Sequence, residues 1–223
     1  MDRDVLRSTG AEFVGTGLLL TLIVGSGRQV ELLGLDPSAQ LLAHALAVGL
    51  GLAVLVAVFL PVSGSQFNPA VTLVAWGTGA MPRRLVAPHL VAQLAGAVVG
   101  VVVANLTYGA PAVEVSTNVR DGVLGAEALA TFSLVLAIFA LVRAGRPEWL
   151  PAVVGGIVGA GIVATASTGF ANPAVAVARI LTESYTGIAP ESVPPFVAAQ
   201  LMGAGLAAVV AVWLWPGRRP ESG

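Results

Sequence analysis

The sequence contains no cysteine, so disulfides and thiolate metal sites are excluded, and thiol usage says nothing of the redox compartment. It contains no lysine either; all eleven basic residues are arginine, a bias that GC-rich coding accounts for. Charge of either sign is scarce: 10% of the 223 residues, where a soluble domain carries about 25%. The formal net charge of −1 leaves no basic face of the kind nucleic-acid binding needs. Histidine occurs only at His44 and His89, with no carboxylate or cysteine at ligand spacing, so no metal site is expected. There is no nucleophile–base pair and no phosphate-binding glycine loop, so neither an enzyme nor a cofactor is expected.

What is abundant points to lipid. Hydrophobic residues make up 56%, with 27 glycines and 14 prolines, two residue types commoner in membrane helices than in soluble ones. A membrane helix needs about 20 mostly apolar residues, and six stretches qualify: 8–27, 39–60, 84–107, 122–143, 150–167 and 193–215. The opening MDRDVLRSTG is short and mixed in charge, and the run behind it reads as a retained helix rather than a cleaved signal peptide. Two further apolar stretches, roughly 68–79 and 172–182, are too short to span and read as half-helices that enter the membrane and stop. Arg3, Arg7, Arg83, Arg84, Arg143, Arg146, Arg218 and Arg219 fall on one side of these spans, and Arg28, Arg120 and Arg179 on the other. The positive-inside rule then places both tails in the cytoplasm. Glu31, Asp36, Glu114, Asp121, Glu183 and Glu191 leave the outer side acidic.

The chain repeats itself. Glu12, Asn68 and Gln93, each in a matching local context, correspond to Glu127, Asn172 and Gln200, at offsets of 115, 104 and 107 residues. One transmembrane domain over 1–223 is expected, with repeats at about 8–107 and 122–215. Three spans per repeat, an odd number, turn the second repeat upside down relative to the first. In such inverted repeats the solute site lies near the midplane, where broken helices meet.

Both half-helices open with the same tripeptide, Asn68-Pro69-Ala70 and Asn172-Pro173-Ala174. Asparagine caps a helix through its side-chain oxygen, proline suits the first helical position, and alanine lets two such ends touch. Each asparagine is expected to spend its oxygen on capping and turn its amide NH₂ toward the pore. Two facing N-termini concentrate positive dipole ends at the centre, which repels cations and interrupts a proton relay through water.

The segments SGSQFNPAVT (63–72) and TGFANPAV (168–175), with AEFVGT (11–16), resemble the paired signature and first-span motif of the aquaporin, or major intrinsic protein, family. The resemblance covers nearly the whole chain. It implies an all-α membrane protein, an aquaporin-like right-handed bundle of six transmembrane helices plus two half-helices. It also implies a pore in every subunit and a homotetramer. Glu12 and Glu127 sit inside apolar spans, where a charge is costly and usually functional or paired. A proton relay is one reading; the family supports the other, in which each glutamate accepts hydrogen bonds from the nearby half-helix loop and holds it.

The resemblance also locates a four-residue filter outside the Asn-Pro-Ala centre, at Val48, Ala160, Gly169 and Val175, the first two on the proviso of no gap. Water-selective members carry an aromatic, a histidine and an arginine there, and glycerol-conducting members keep the arginine. This set has none of them and implies a wide, apolar aperture. Two readings stay open for Arg179, four residues past Val175: it reaches back into the outer vestibule, or it snorkels to the surface. The stretch NPAVAVARILTESYTGIAP resembles a bacterial aquaglyceroporin branch associated with arsenic resistance, in which valine replaces the filter arginine.

These features imply a passive channel in the bacterial inner membrane. Its expected partners are small neutral solutes and water, within membrane lipid: glycerol-like polyols and metalloid hydroxides such as arsenous acid or methylated arsenicals. A water-selective pore, a proton-coupled transporter and a non-conducting structural protein are the alternatives.

Overall fold

The structure is a computed structural model and describes residues 2–216; Arg218 and Arg219, expected in the cytoplasmic tail, lie outside the described residues. Among those residues it is wholly helical. Six helices are long and apolar enough to cross a membrane: α1 (Arg3–Leu32), α2 (Pro37–Ser63), α4 (Arg83–Thr107), α5 (Leu124–Arg143), α6 (Leu150–Ala164, preceded by a 3₁₀ turn at Pro147–Trp149) and α8 (Val193–Leu214, preceded by one at Pro190–Ser192). Two short helices lie between them, α3 (Pro69–Gly77) and α7 (Pro173–Ala178).

Local chemistry sets the ends. The Asp2 side chain accepts the Asp4 backbone N–H, so α1 starts five residues before the expected apolar run. Asp36 accepts from Ser38 and Ala39, with Pro37 at the first position of α2. That helix stops at Gly64, whose φ of 86° suits glycine. The second half-helix is shorter than the sequence suggested. Its α-helical part ends at Ala178, and a 3₁₀ turn, Arg179–Leu181, carries the chain onward.

Small residues let the spans touch backbone to backbone. A side chain at Gly96 of α4 would collide with the Phe13 carbonyl of α1, and one at Gly203 of α8 with the Ala128 carbonyl of α5. The α1–α4 and α5–α8 pairs are thus packed in the same way in the two halves. Gly49 of α2 and Gly155 of α6 meet similarly, each against the other's carbonyl. With lipid outside, close van der Waals packing of this kind, not hydrophobic burial, drives association.

Candidate functional site

The segments leading into α3 and α7 share one unusual backbone. Phe67 (φ 48°) and Ala171 (φ 48°), each just before an asparagine, are left-handed. So are Ser65 (49°) and Gly169 (54°), and Gly64 (86°) and Thr168 (59°), three and four residues before it. Non-glycine residues rarely adopt this conformation and persist there only where the surroundings hold them.

Those surroundings are two buried glutamates. Glu12, fully buried on α1, accepts four hydrogen bonds: from Ser63 Oγ (2.6 Å), Gln66 N (3.0 Å), Phe67 N (2.7 Å) and Gln93 Nε2 (2.8 Å). Glu127, fully buried on α5, accepts from Phe170 N (2.9 Å), Ala171 N (3.1 Å) and Gln200 Nε2 (2.7 Å). Gln93 and Gln200 were visible in the sequence only as repeat partners; their contacts with the carboxylates give them a positioning role. His89 joins the first set at a distance, through Gln66 Oε1 (3.2 Å) and Ser8 Oγ (2.8 Å).

The two asparagines then tie the halves together. Asn68 Oδ1 accepts the Ala70 N–H, and Asn172 Oδ1 accepts those of Ala174 and Val175. Asn68 Nδ2 donates to the Ala171 carbonyl at 2.8 Å, while Asn172 Nδ2 donates to the Phe67 carbonyl, also at 2.8 Å. An amide carries two hydrogens, so each NH₂ keeps one beyond this crossed bond. The two capped N-termini face one another at the centre of the fold.

Beside them runs a cavity enclosing about 80 Å³, where one water needs only about 10–15 Å³. Both asparagines line it, with the loop residues Gly64, Ser65, Gln66, Thr168, Gly169 and Phe170. The remaining wall is mostly apolar and comes from regular helix stripes: His44, Val48, Leu52, Val56 and Leu60 of α2, and Leu150, Val154, Val158 and Ile162 of α6. Residues four apart share a helix face, so each stripe is one side of one helix.

Residues 2–171 match the Major intrinsic protein family model. The chain belongs to the major intrinsic protein family. It is 42% identical over 219 residues to the aquaglyceroporin AqpS of Rhizobium meliloti (strain 1021), covering 97% of this chain and 94% of that one. It is 33% identical over 117 residues to the propanediol uptake facilitator PduF of Salmonella typhimurium, covering 52% and 44%. Its fold matches the X-ray structure of the aquaglyceroporin from Plasmodium falciparum with a TM-score of 0.74 at 24% identity, over 95% and 98% of the two chains. The protein is an integral membrane channel.

Three of the four positions that the major intrinsic protein resemblance assigned to the filter, Val48, Gly169 and Val175, line the cavity. Ala160 does not. It is exposed on α6 and faces outward grooves, one with Leu129 and Ala164 and the other with Leu42 and Leu46. The cause is helix phase. Counting back from Asn172 without a gap lands two residues off the stripe 150-154-158-162, about 200° away around the helix. Ile162, near the C-terminal end of α6, and Val158 present side chains to the cavity instead.

Arg179 also lines the cavity and is only 4% exposed, so it does not snorkel to the surface. Its Nε donates to the Thr186 carbonyl, and its guanidinium lies 3.5 Å from the centre of the Phe170 ring. Arg120 covers the same ring at 5.1 Å. Burial pulls the Arg120 guanidinium below its ordinary range and pushes the neighbouring Tyr185 hydroxyl above its own. Nothing in the residue pattern marks Phe170 as an anchor for two arginines.

Proposed function

We propose that the protein is a passive, bidirectional channel for small uncharged solutes: glycerol-like polyols and metalloid hydroxides such as arsenous acid or methylated arsenicals, with some water flux. The observation that carries this is the outer part of the cavity. Val48, Ile162, Gly169 and Val175 line it, and no arginine stands directly after the second Asn-Pro-Ala. An apolar wall facing a polar one suits solutes with C–H groups on one side and hydroxyls on the other. Diameter, lining groups and electrostatic barriers set selectivity in such pores. The 42%-identical relative is named an aquaglyceroporin, which favours this reading over a water-selective pore.

In this reading Asn68 and Asn172 orient solute through their remaining amide hydrogens, with Pro69, Ala70, Pro173 and Ala174 shaping the paired helix starts. Val48, Gly169 and Val175, together with Ile162 in place of Ala160, set the aperture, and Arg179 lies in the vestibule. Glu12 and Glu127 hold the loops. Neither is among the residues lining the cavity, which removes support from a proton-coupled transporter. We further propose one channel domain over 1–223, with repeats near 8–107 and 122–215, no catalysis and no cofactor. The placement follows the arginines: bacterial inner membrane, both tails cytoplasmic, homotetrameric as the family resemblance implies.

Stopped-flow light scattering on proteoliposomes tests the reading, comparing water, glycerol and arsenous acid for wild type and Val175→Arg. Wild type is expected to pass all three. The arginine variant is expected to lose glycerol and arsenous acid at least tenfold more than water, since a side chain of that size plugs the ring. Wild-type flux of water alone would overturn the solute assignment.

A further inference from the structure

The outer end of the cavity holds an unbalanced charge. Arg179 is 4% exposed, and its Nε is taken by the Thr186 carbonyl. Among the described residues, its two terminal amino groups donate to no protein acceptor, and no carboxylate pairs with it. These groups reach open space in a cavity that the residue lines. Arg120 adds a second positive charge above the same Phe170 ring, but it is occupied, donating to the Gly187 (3.2 Å) and Tyr185 (3.3 Å) carbonyls. A buried, unpaired guanidinium is costly to maintain, so a pore that keeps one is incomplete without an acceptor.

His44 supplies the complementary function. Its Nδ1 lies 2.8 Å from Ser26 Oγ. The Ser26 hydroxyl donates its hydrogen to the Ile23 carbonyl (3.1 Å), so Oγ accepts from Nδ1–H. This network assigns the neutral imidazole one tautomer, with Nε2 as a bare acceptor. Among the described residues Nε2 has no protein partner, and His44 lines the same cavity as Arg179. The outer mouth therefore offers charged donors and one neutral acceptor above the ring of Val48, Ile162 and Val175.

We propose that this mouth is a binding subsite for small 2-hydroxy acids, which carry a carboxylate beside a hydroxyl. The carboxylate oxygens take the Arg179 donors and the 2-hydroxyl donates to His44 Nε2. A plain polyol meets the hydrogen-bonding demand but leaves the guanidinium charge unanswered; a hydroxy-carboxylate meets both. The inference rests on the channel reading and extends it from uncharged solutes to weak acids.

Labelled lactate is the probe. Its flux into proteoliposomes at pH 5 is compared with that of glycerol, against empty liposomes, for wild type, Arg179→Gln and His44→Phe. Wild type is expected to speed lactate influx, and external lactate to slow glycerol flux. Each variant is expected to lower the lactate-to-glycerol permeability ratio about tenfold, as the loss of one hydrogen bond to the solute requires. Arg179→Lys is expected to retain part of that ratio, since it keeps the charge without the fork. Glycerol flux with neither lactate influx nor competition would overturn the subsite and leave the channel reading standing, and an unchanged ratio in both variants would overturn the residue assignment. If neither solute passes, the channel reading falls; calorimetric titration of lactate into the detergent-solubilised protein then decides the subsite alone, with absence of saturable heat counting against it.

Discussion

Glu12 shows how much one side chain organises. Its four donors arrive from the end of α2, from the loop before α3 and from α4, so three segments converge on one carboxyl group. In Glu12→Gln, one of the two acceptor oxygens becomes an NH₂ that confronts two of those donors whichever way the amide is turned. Each donor left unsatisfied in this buried place costs about 1–3 kcal/mol. The variant is expected to fold with lower yield and to unfold at a clearly lower temperature in detergent, read by thermal denaturation. An unchanged midpoint would mean that water or a rearranged Gln93 replaces the lost contacts. At this scale the sequence spoke through repetition. Glu12 and Glu127 stood out because a carboxyl group inside an apolar span demands a partner. Ala160 was misplaced because a residue count cannot sense helix phase, whereas the stripes at 44-48-52-56-60 and 150-154-158-162 carried the phase and were there to be read.

At the scale of elements, the spans were legible because lipid imposes a length and a composition, and all six expected stretches became helices. Their ends were less so. The N-terminal cap at Asp2 carries α1 past its apolar part, and the second half-helix tightens into a 3₁₀ turn at Arg179. That tightening, together with the stack on Phe170, turns the arginine inward, and neither is encoded in local hydropathy. The contacts between spans depend on glycines whose importance is invisible until the partner is known. Gly96 is a clear case, lying directly against the Phe13 carbonyl. Gly96→Leu forces α1 and α4 apart, and Gly203→Leu does the same to α8 and α5. Both variants are expected to lose most folded protein, measured as the monodisperse fraction on size-exclusion chromatography. Gly205→Leu, on a face with nothing within 4 Å, is expected to be tolerated and serves as the control. Equal recovery of all three would remove the packing argument.

The whole molecule is held at its centre by two crossed bonds, Asn68 to Ala171 and Asn172 to Phe67. Each half finishes its own helix cap but relies on the other half to accept its amide hydrogen. A lone half would carry that donor unmet inside the membrane, with the lipid-incompatible loop of α3 or α7 uncovered. Cleaving the gene after the codon for Gly122, which sits in a non-helical connection, should give two polypeptides that are each degraded when made alone. Made together they should accumulate and restore glycerol flux to cells. Accumulation of either piece by itself would mean that the crossed bonds are dispensable. The joint thus makes the two halves one another's template: neither has a native shape of its own to inherit, and a change at one asparagine is felt first in the opposite half.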